Sequence, residues 1–556
     1  MNIRKNPAIR TLVSAIALAL GVNTFAGTAG TTVPPELVKV VPSDALLAAQ
    51  VQDVQAGFKA FGDSLGVTDE EYKSDPPPNL FFMNLDELAK TDLKLPNRTP
   101  VIFWVDKLPL PDGPGASAPG NLEWGMAFKL PGATATNTTA RESSGMELHF
   151  VDEVVVATSK GSTYDASKTG AGGVATRIVQ NSPFSGAVRG SMFKKLASTA
   201  KPMLGMGPML LQSGLGDMTK SLAKADRKDA QQIIQKAIGD AMNLMQQAVE
   251  SFETIEIATF KFDPATFIAE VFFVIDGVIP SNHGVESSII ESLPSGRSMY
   301  YAIDEPTLAR MSRMEADFFA AGLAMSGTSM NKARGLTKLA PSMMQALGLM
   351  SGGIAGGFRA DLHEDDFRIG TKDPAGLMKT MGSLMTDIDG LDLGVEYKKT
   401  SADQWTVDLD MKKLLANSEN DADVSRMTKG FPEKFDLVMK PEDGMLTGTR
   451  RVVGDRLEKT AGTPVVLSDF KKFAGYIIFG LGFDATEMAR GMESSIDLAM
   501  KAAGQSNGLK APGADVKPAP FTLISYKMAD NVLGFFIRIP KEPFAEQVRE
   551  QMKNRS

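Results

Sequence analysis

LPSGRSMYYAIDEPTLAR, residues 293–310, lies at the middle of this chain of 556 residues. It matches the opening stretch VPSDALLAAQVQD, residues 41–53. Aligning Pro42 with Pro294 places Ser43 on Ser295 and Val51 on Ile303. The match predicts that a second domain begins at the midpoint, after a linker at 279–290.

Three further matches follow in the same order along the chain. Because their spacing varies, loop insertions must be allowed, but a repeat of this length indicates a duplicated domain rather than a solenoid unit. We therefore expect an α+β fold of two similar halves at 33–290 and 291–556, each an antiparallel sheet covered by long helices. The three matches are Glu147–Leu148 with Asp436–Leu437, Ser191–Ala197 with Ser468–Ala474, and 259–275 with 525–538.

The opening strands of the two halves, VPSDALLAAQV and LPSGRSMYYAI, carry a resemblance. The chain resembles a family of uncharacterised exported bacterial proteins whose duplicated halves each open with a Leu-Pro-Ala-Asp-like strand. The resemblance implies two α+β halves and export, and it brings no established activity.

The first 26 residues have the pattern of a signal peptide. Arg4, Lys5 and Arg10 form a basic region before the apolar segment 12–22, and small residues near Ala26 and Ala29 offer two cleavage sites. The apolar segment is short for a bilayer span, although an uncleaved anchor is the alternative. We expect a periplasmic or secreted protein.

Composition excludes several classes of protein. The chain has no cysteine, which rules out disulfides, cysteine zinc sites and thiol catalysis. Its net charge of −7 argues against nucleic acid as a partner. No continuous apolar run after the signal peptide reaches transmembrane length.

Periodicity predicts many of the elements. Apolar residues at three- and four-residue steps indicate a long helix at 226–253. Asp373 and Pro374 are typical of a helix start, and Gly390 of its end. A capping-box pattern at 484–487 predicts another helix start. Strands are predicted at 40–51, 101–106, 123–130, 146–150, 154–158, 255–262, 267–275, 393–397, 405–410, 435–439, 445–453, 523–528 and 532–539.

One serine motif suggests catalysis. Ser191 and Lys194 fit the S-x-x-K pattern of serine acyltransferases and β-lactamases, in which the lysine assists deprotonation of the serine, and 168–170 reads K-T-G. However, S-x-x-K also occurs at Ser198, Ser221, Ser329 and Ser468, and K-T-G comes before the serine instead of after it. A repeated helix start followed by surface lysines explains Ser191 and Ser468 more simply.

The histidines and acids give weak metal-site patterns. The only histidines are His149, His283 and His363. The run 363–366 could hold a divalent cation, but an acidic hairpin turn is the simpler interpretation. The run 387–392 resembles part of a calcium loop without its bidentate glutamate, so a helix end is favoured. Asp408 and Asp410 share one face of a strand, as paired carboxylates or solvent-facing residues do.

Glycine-rich stretches do not fit nucleotide-binding motifs, and no G-x-S-x-G is present. The segments 193–215, 318–357 and 473–500 are rich in Met, Gly and Ala, and we expect them to be helical. Methionine surfaces adapt to varied apolar ligands, although ordinary core packing gives the same composition.

The sequence thus identifies no catalytic, cofactor-binding or metal-binding residue. It predicts a non-enzymatic exported protein that binds an apolar or amphipathic partner, which could be a lipid, a peptide or an envelope protein. The alternatives are an envelope scaffold or assembly factor without a small ligand, and a hydrolase with an unrecognised site.

Overall fold

The structure is a computed structural model that describes seventeen stretches of the chain. The predicted signal peptide at 1–26 and His363 lie outside them. The described residues are 34–52, 100–107, 122–130, 146–159, 161–169, 173–178, 182, 184–218, 224–263, 266–280, 283–311, 320–321, 330–359, 364–410, 433–453, 463–488 and 518–540.

The chain folds into two compact units. The first comprises residues 1–202, 249–277 and 534–556, and the second comprises 203–248 and 278–533. Two long helices, α2 (Gly190–Met218) and α3 (Lys224–Glu253), contribute residues to both units. The fold is a mixture of α and β structure in which antiparallel sheet predominates, which confirms the predicted mixture of helices and antiparallel sheet.

The first unit is built on one antiparallel run of strands. It opens with the short helix α1 (Pro35–Lys39), and its strands pair in the order β4-β5-β3-β2-β1-β6-β7-β8, with β18 on β8. The strands are β1 (Leu47–Val51), β2 (Val101–Lys107), β3 (Glu123–Lys129), β4 (Met146–Val151), β5 (Val154–Ser159), β6 (Phe184–Arg189), β7 (Ile255–Asp263), β8 (Ile268–Ile275) and β18 (Val532–Arg538).

The central strand of this unit is β1. All five of its residues are buried, because β2 and β6 flank it and apolar layers cover both faces. One layer includes Leu47, Phe128 and Phe262, and the other includes Trp104 and Val156. A strand enclosed on both faces reads as a continuous apolar run, which explains why LAAQV does not alternate.

The second unit has its own antiparallel run of strands, paired in the order β12-β13-β14-β15-β11-β10-β9-β16-β17. Its strands are β9 (Met299–Ile303), β10 (Met350–Phe358), β11 (Glu364–Thr371), β12 (Val395–Lys399), β13 (Gln404–Leu409), β14 (Lys434–Glu442), β15 (Met445–Val452), β16 (Ile477–Asp484) and β17 (Pro520–Ala529). Its helices are α4 (Ser287–Glu291), α5 (Met330–Gly348), α6 (Pro374–Asp389) and α7 (Pro464–Lys472).

Helix α6 forms where the sequence predicts it. Asp373 caps it by accepting a hydrogen bond of 2.9 Å from the amide of Gly376, and Pro374 occupies the first turn. Its Leu377 is fully buried and Met385 nearly so, against Trp405 and Phe435 of the sheet. The helix therefore covers one face of the strands β12 to β15.

Two segments that the sequence analysis expected to be helical are partly strand. Residues 350–358 form β10, after α5, and residues 477–484 form β16. In β10, Gly352 and Gly353 have φ of 77° and 86°, and a Cβ on Gly353 would lie 2.7 Å from the carbonyl oxygen of Ile303. Glycine is therefore needed for the irregular start of this strand, and its abundance does not indicate helix.

The predicted helix start is correct at Ser191 and wrong at Ser468, so the helix start is not repeated. Ser191 lies in the first turn of α2, directly after β6, whereas Ser468 is the fifth residue of α7, which precedes β16. The remaining predicted strands and the helix at 226–253 are confirmed within a few residues, except that 40–46 precedes β1 rather than joining it. Within the described residues, no helix is both long enough and apolar enough to cross a bilayer.

Candidate ligand-binding groove

One concave site is a groove between α6 and the hairpin β12–β13. Its volume is about 350 Å³, which is within the range of small-molecule sites. The groove is open to solvent along one side. It is lined by Met378, Lys379, Gly382, Ser383, Met385, Thr386, Tyr397, Lys399, Ala402 and Trp405.

The floor of the groove is apolar. Trp405 is 4 % exposed and Met385 is 9 % exposed. Met378, Gly382 and Met385 follow one another at helical spacing on the sheet-facing side of α6. Gly382 provides the space, because a Cβ at this position would meet only Trp405, at an ordinary contact distance of 3.5 Å from its Cζ2 atom.

The wall opposite the helix comes from alternate residues of β12. Tyr397 pairs with Val407 and Lys399 with Trp405 across the β12–β13 ladder, so both side chains lie on the face that α6 covers. Burial raises the pKa of the Tyr397 phenol. The Lys399 ammonium lies 5.5 Å from the centroid of the Trp405 ring, in a cation–π arrangement.

The opposite side of the same hairpin is acidic. A second groove of about 510 Å³ is lined by Asp389, Asp392, Gly394, Val395, Glu396, Asp408, Leu409, Asp410, Glu433 and Lys434. The structure thus brings together the two acidic patterns at 387–392 and 408–410. Lys398 lies 3.1 Å from Glu396 and 3.3 Å from Asp408, and Lys434 lies 3.5 Å from Asp408.

No metal site is formed by these acids. Among the residues that the structure describes, no group of three or more His, Asp or Glu side chains has an arrangement that could hold a metal ion. The acidic run after His363 is not a solvated turn either, since residues 364–366 lie in β11 and Glu364 and Asp366 are buried.

Arginines neutralise the acids of β11. Arg297 Nη1 lies 3.1 Å from Glu364, and its Nε and Nη2 both donate to Asp366, the former at 2.7 Å. Arg451 Nε donates to Glu364 at 2.7 Å. Arg450 pairs with Asp365 at 3.1 Å. The carboxylates that the sequence offered as cation ligands are thus engaged in a buried ion-pair network.

The other sequence candidates do not converge. Ser191 and Lys194 are exposed on the first turn of α2. The His149 ring lies 3.3 Å from the hydroxyl of Thr158, and His283 Nδ1 lies 2.5 Å from the buried carboxylate of Asp304. These two histidines belong to different units.

The groove residues on the strands were missed by the sequence analysis. The predicted strands at 393–397 and 405–410 include Tyr397 and Trp405. The sequence does not show on which face of the sheet these side chains lie, because the face depends on how the two strands pair. A useful signal was Gly382, a residue without a side chain inside an otherwise good helix pattern.

Comparisons of the chain with protein-family models, with curated proteins and with solved structures found no match.

Proposed function

We propose that this is an exported, non-enzymatic protein that binds an apolar or amphipathic ligand in the groove between α6 and the β12–β13 hairpin. The observation that carries the proposal is the floor of Trp405, Met378 and Met385 beneath a gap opened by Gly382. Unbranched methionine side chains adapt to ligands of varied shape. The groove combines these apolar side chains with the polar ones of Lys379, Ser383, Thr386, Tyr397 and Lys399, and ligand sites likewise combine apolar surface with polar groups that orient the ligand.

On the inference that the two units arose by duplication, the position of the groove in the fold supports the proposal. We infer duplication from the order of seven strands. In the first unit the order is β4-β5-β3-β2-β1-β6-β7, and in the second it is β14-β15-β11-β10-β9-β16-β17. In both orders the strand that comes first in the sequence, β1 or β9, is the fifth of the seven.

The residue match at the midpoint agrees with this strand order. Aligning Pro42 with Pro294 places all of β1 on all of β9, Leu47 on Met299 and Val51 on Ile303. Both strands have antiparallel partners on both sides, and a five-residue helix precedes each. This agreement of sequence and pairing supports two similar halves.

Under that alignment, the groove belongs to an insertion. Residues 130–145 join β3 to β4 in the first unit, whereas residues 372–433 join the corresponding β11 and β14 in the second. The longer connection supplies α6, β12 and β13, and every lining residue of the groove comes from it. A segment added to one copy of a repeated scaffold is a natural place for function.

Native mass spectrometry of the mature protein, purified without detergent, tests the proposal. We expect bound masses of apolar or amphipathic molecules that organic solvent extracts. Bare polypeptide under several gentle conditions, together with no uptake of added alkyl amphiphiles, would count against it.

A second candidate function, docking of an envelope protein, is favoured by exposed apolar residues on α3. Leu244 is 39 % exposed and Met245 is 50 % exposed, in a part of the helix that is mostly solvent-facing. Replacing both residues with glutamate should abolish such docking and leave ligand binding in the groove unchanged.

A further inference from the structure

The groove carries positive charge in an acidic protein. Its lining includes Lys379 and Lys399 and, among the described residues, no aspartate or glutamate. The whole chain has a net charge of −7, so the groove differs in sign from the average surface. Charge of one sign in a cleft attracts ligands of the opposite charge.

The two lysines are available to a ligand. Within the described part of the chain, neither Lys379 nor Lys399 is paired with a carboxylate, and both side chains are exposed. Their neighbour Lys398 is different, because strand alternation sends it to the acidic side, where Glu396 and Asp408 hold it. The hairpin β12–β13 therefore separates a cationic groove from an anionic one.

We propose that the ligand of the groove is a single-chain amphiphile with an anionic head, a carboxylate or a phosphate. Lys379 and Lys399 bind the head, and the alkyl chain lies on Met378, Met385 and Trp405. This inference rests on the proposed function of the same groove. A volume of about 350 Å³ is at the small end for ligand sites, which suits one chain rather than a two-chain lipid.

The cation–π contact supports the position of the head. With the Lys399 ammonium 5.5 Å from the Trp405 ring centroid, an anion that binds Lys399 lies beside the indole while the chain continues over the apolar floor. A quaternary ammonium head would meet two like charges at the same position. The groove therefore favours a ligand that has both an anionic head group and an apolar chain.

A set of four C12 amphiphiles tests the inference. Tryptophan fluorescence would be titrated with dodecanoate, dodecyl phosphate, dodecan-1-ol and dodecyltrimethylammonium, each below its micellar concentration. We expect the two anions to bind at least ten-fold more tightly than the alcohol, and the cation most weakly. A preference between carboxylate and phosphate would identify the head group.

Variants separate the inference about the anionic head group from the proposal that the groove binds a ligand. The pair Lys379→Met with Lys399→Met should weaken binding of the anions at least ten-fold and remove their advantage over the alcohol, whereas Lys372→Met, which changes an exposed lysine outside the groove, should leave that advantage intact. Equal binding of dodecanoate and dodecan-1-ol would overturn the inference about charge and leave the groove as a ligand site. Failure of all four amphiphiles to bind would overturn the proposed function as well.

Discussion

Lys399 and Trp405 lie directly opposite one another on β12 and β13, and the ammonium of the first is 5.5 Å from the ring centroid of the second. Lys399 belongs to the charged rim of the groove and Trp405 to its apolar floor, so the two parts are in contact through this pair. Because Trp405 is almost fully buried between the hairpin and α6, the same residue is part of the core and part of the site.

Filling the gap at Gly382 should block the groove without harming the fold. In Gly382→Leu, the Cβ makes an ordinary contact with Trp405 and the rest of the side chain extends into the groove. We expect amphiphile binding to fall at least ten-fold. Leucine is also a better helix former than glycine, by up to about 1 kcal/mol, so the melting temperature should stay within a few degrees of wild type.

Gly239→Ala is the matched control for that variant, because it also changes a helical glycine and a Cβ there would have nothing within 4 Å. It should leave binding unchanged. Unaltered binding by Gly382→Leu in a folded protein would place the ligand elsewhere.

The buried network around Arg297 should be essential for stability of the second unit. Arg297→Met leaves the buried carboxylates of Glu364 and Asp366 without their shared partner. Removing one member of a buried ion pair typically costs about 3–5 kcal/mol. Urea unfolding of the variant should show this loss. Lys398→Met, which removes two exposed ion pairs, should cost far less, because solvent screens charges at the surface. Equal effects of the two changes would contradict the assignment.

Asp106 in the first unit should make stability depend on pH. Burial raises the pKa of Asp106 to about 6, even though Trp104 Nε1 donates a hydrogen bond of 3.1 Å to its Oδ2. The folded protein thus holds this proton up to about pH 6, whereas the unfolded chain releases it near pH 4. The cost of the buried charge therefore lowers stability as pH rises from about 4 to above 6.

Asp106→Asn removes that ionisation. We expect the variant to match wild type at pH 4 and to exceed it at pH 8, by on the order of 1 kcal/mol after allowance for solvent screening. Thermal melts at the two pH values measure the difference. A variant that is less stable than wild type at pH 8 would show that the Asp106 charge is stabilising.

Asp304 should matter more than its histidine partner. Its carboxylate is fully buried and accepts from the amides of Thr307, at 3.0 Å, and Gly284, at 3.3 Å, as well as contacting His283. Asp304→Ala removes the acceptor of both partly buried amides, at a cost of about 2–3 kcal/mol. His283→Ala keeps both amide bonds and should cost about 1 kcal/mol. Chemical denaturation of both variants checks the order.

Much of the fold could be predicted because local patterns and tertiary structure agree. The helix start at Asp373 and Pro374 depends only on contacts within four residues, and β7 and β8 are rich in the β-branched and aromatic residues that are typical of strands. The glycines of β10 misled the prediction, because their cause is a close approach of Ile303, which lies far away in the sequence.

The groove was less predictable for the same reason. Its floor depends on which face of β13 carries Trp405, and a shift of one residue in register would reverse that face. The pairing of Arg297 with Asp366 likewise joins residues of different strands. Sequence patterns offered the acids of β11 as cation ligands or, more simply, as an acidic turn, and could not show that arginines neutralise them.

Contact quenching of Trp405 by a bromine-labelled chain tests the central claim most directly. Of the three tryptophans, Trp104 is fully buried in the first unit and only Trp405 lines the groove. We predict that 12-bromododecanoate quenches the emission of the wild-type protein and that Trp405→Phe loses the quenched component. No quenching in the wild type, or the same quenching in Trp405→Phe, would contradict a ligand site between α6 and the β12–β13 hairpin.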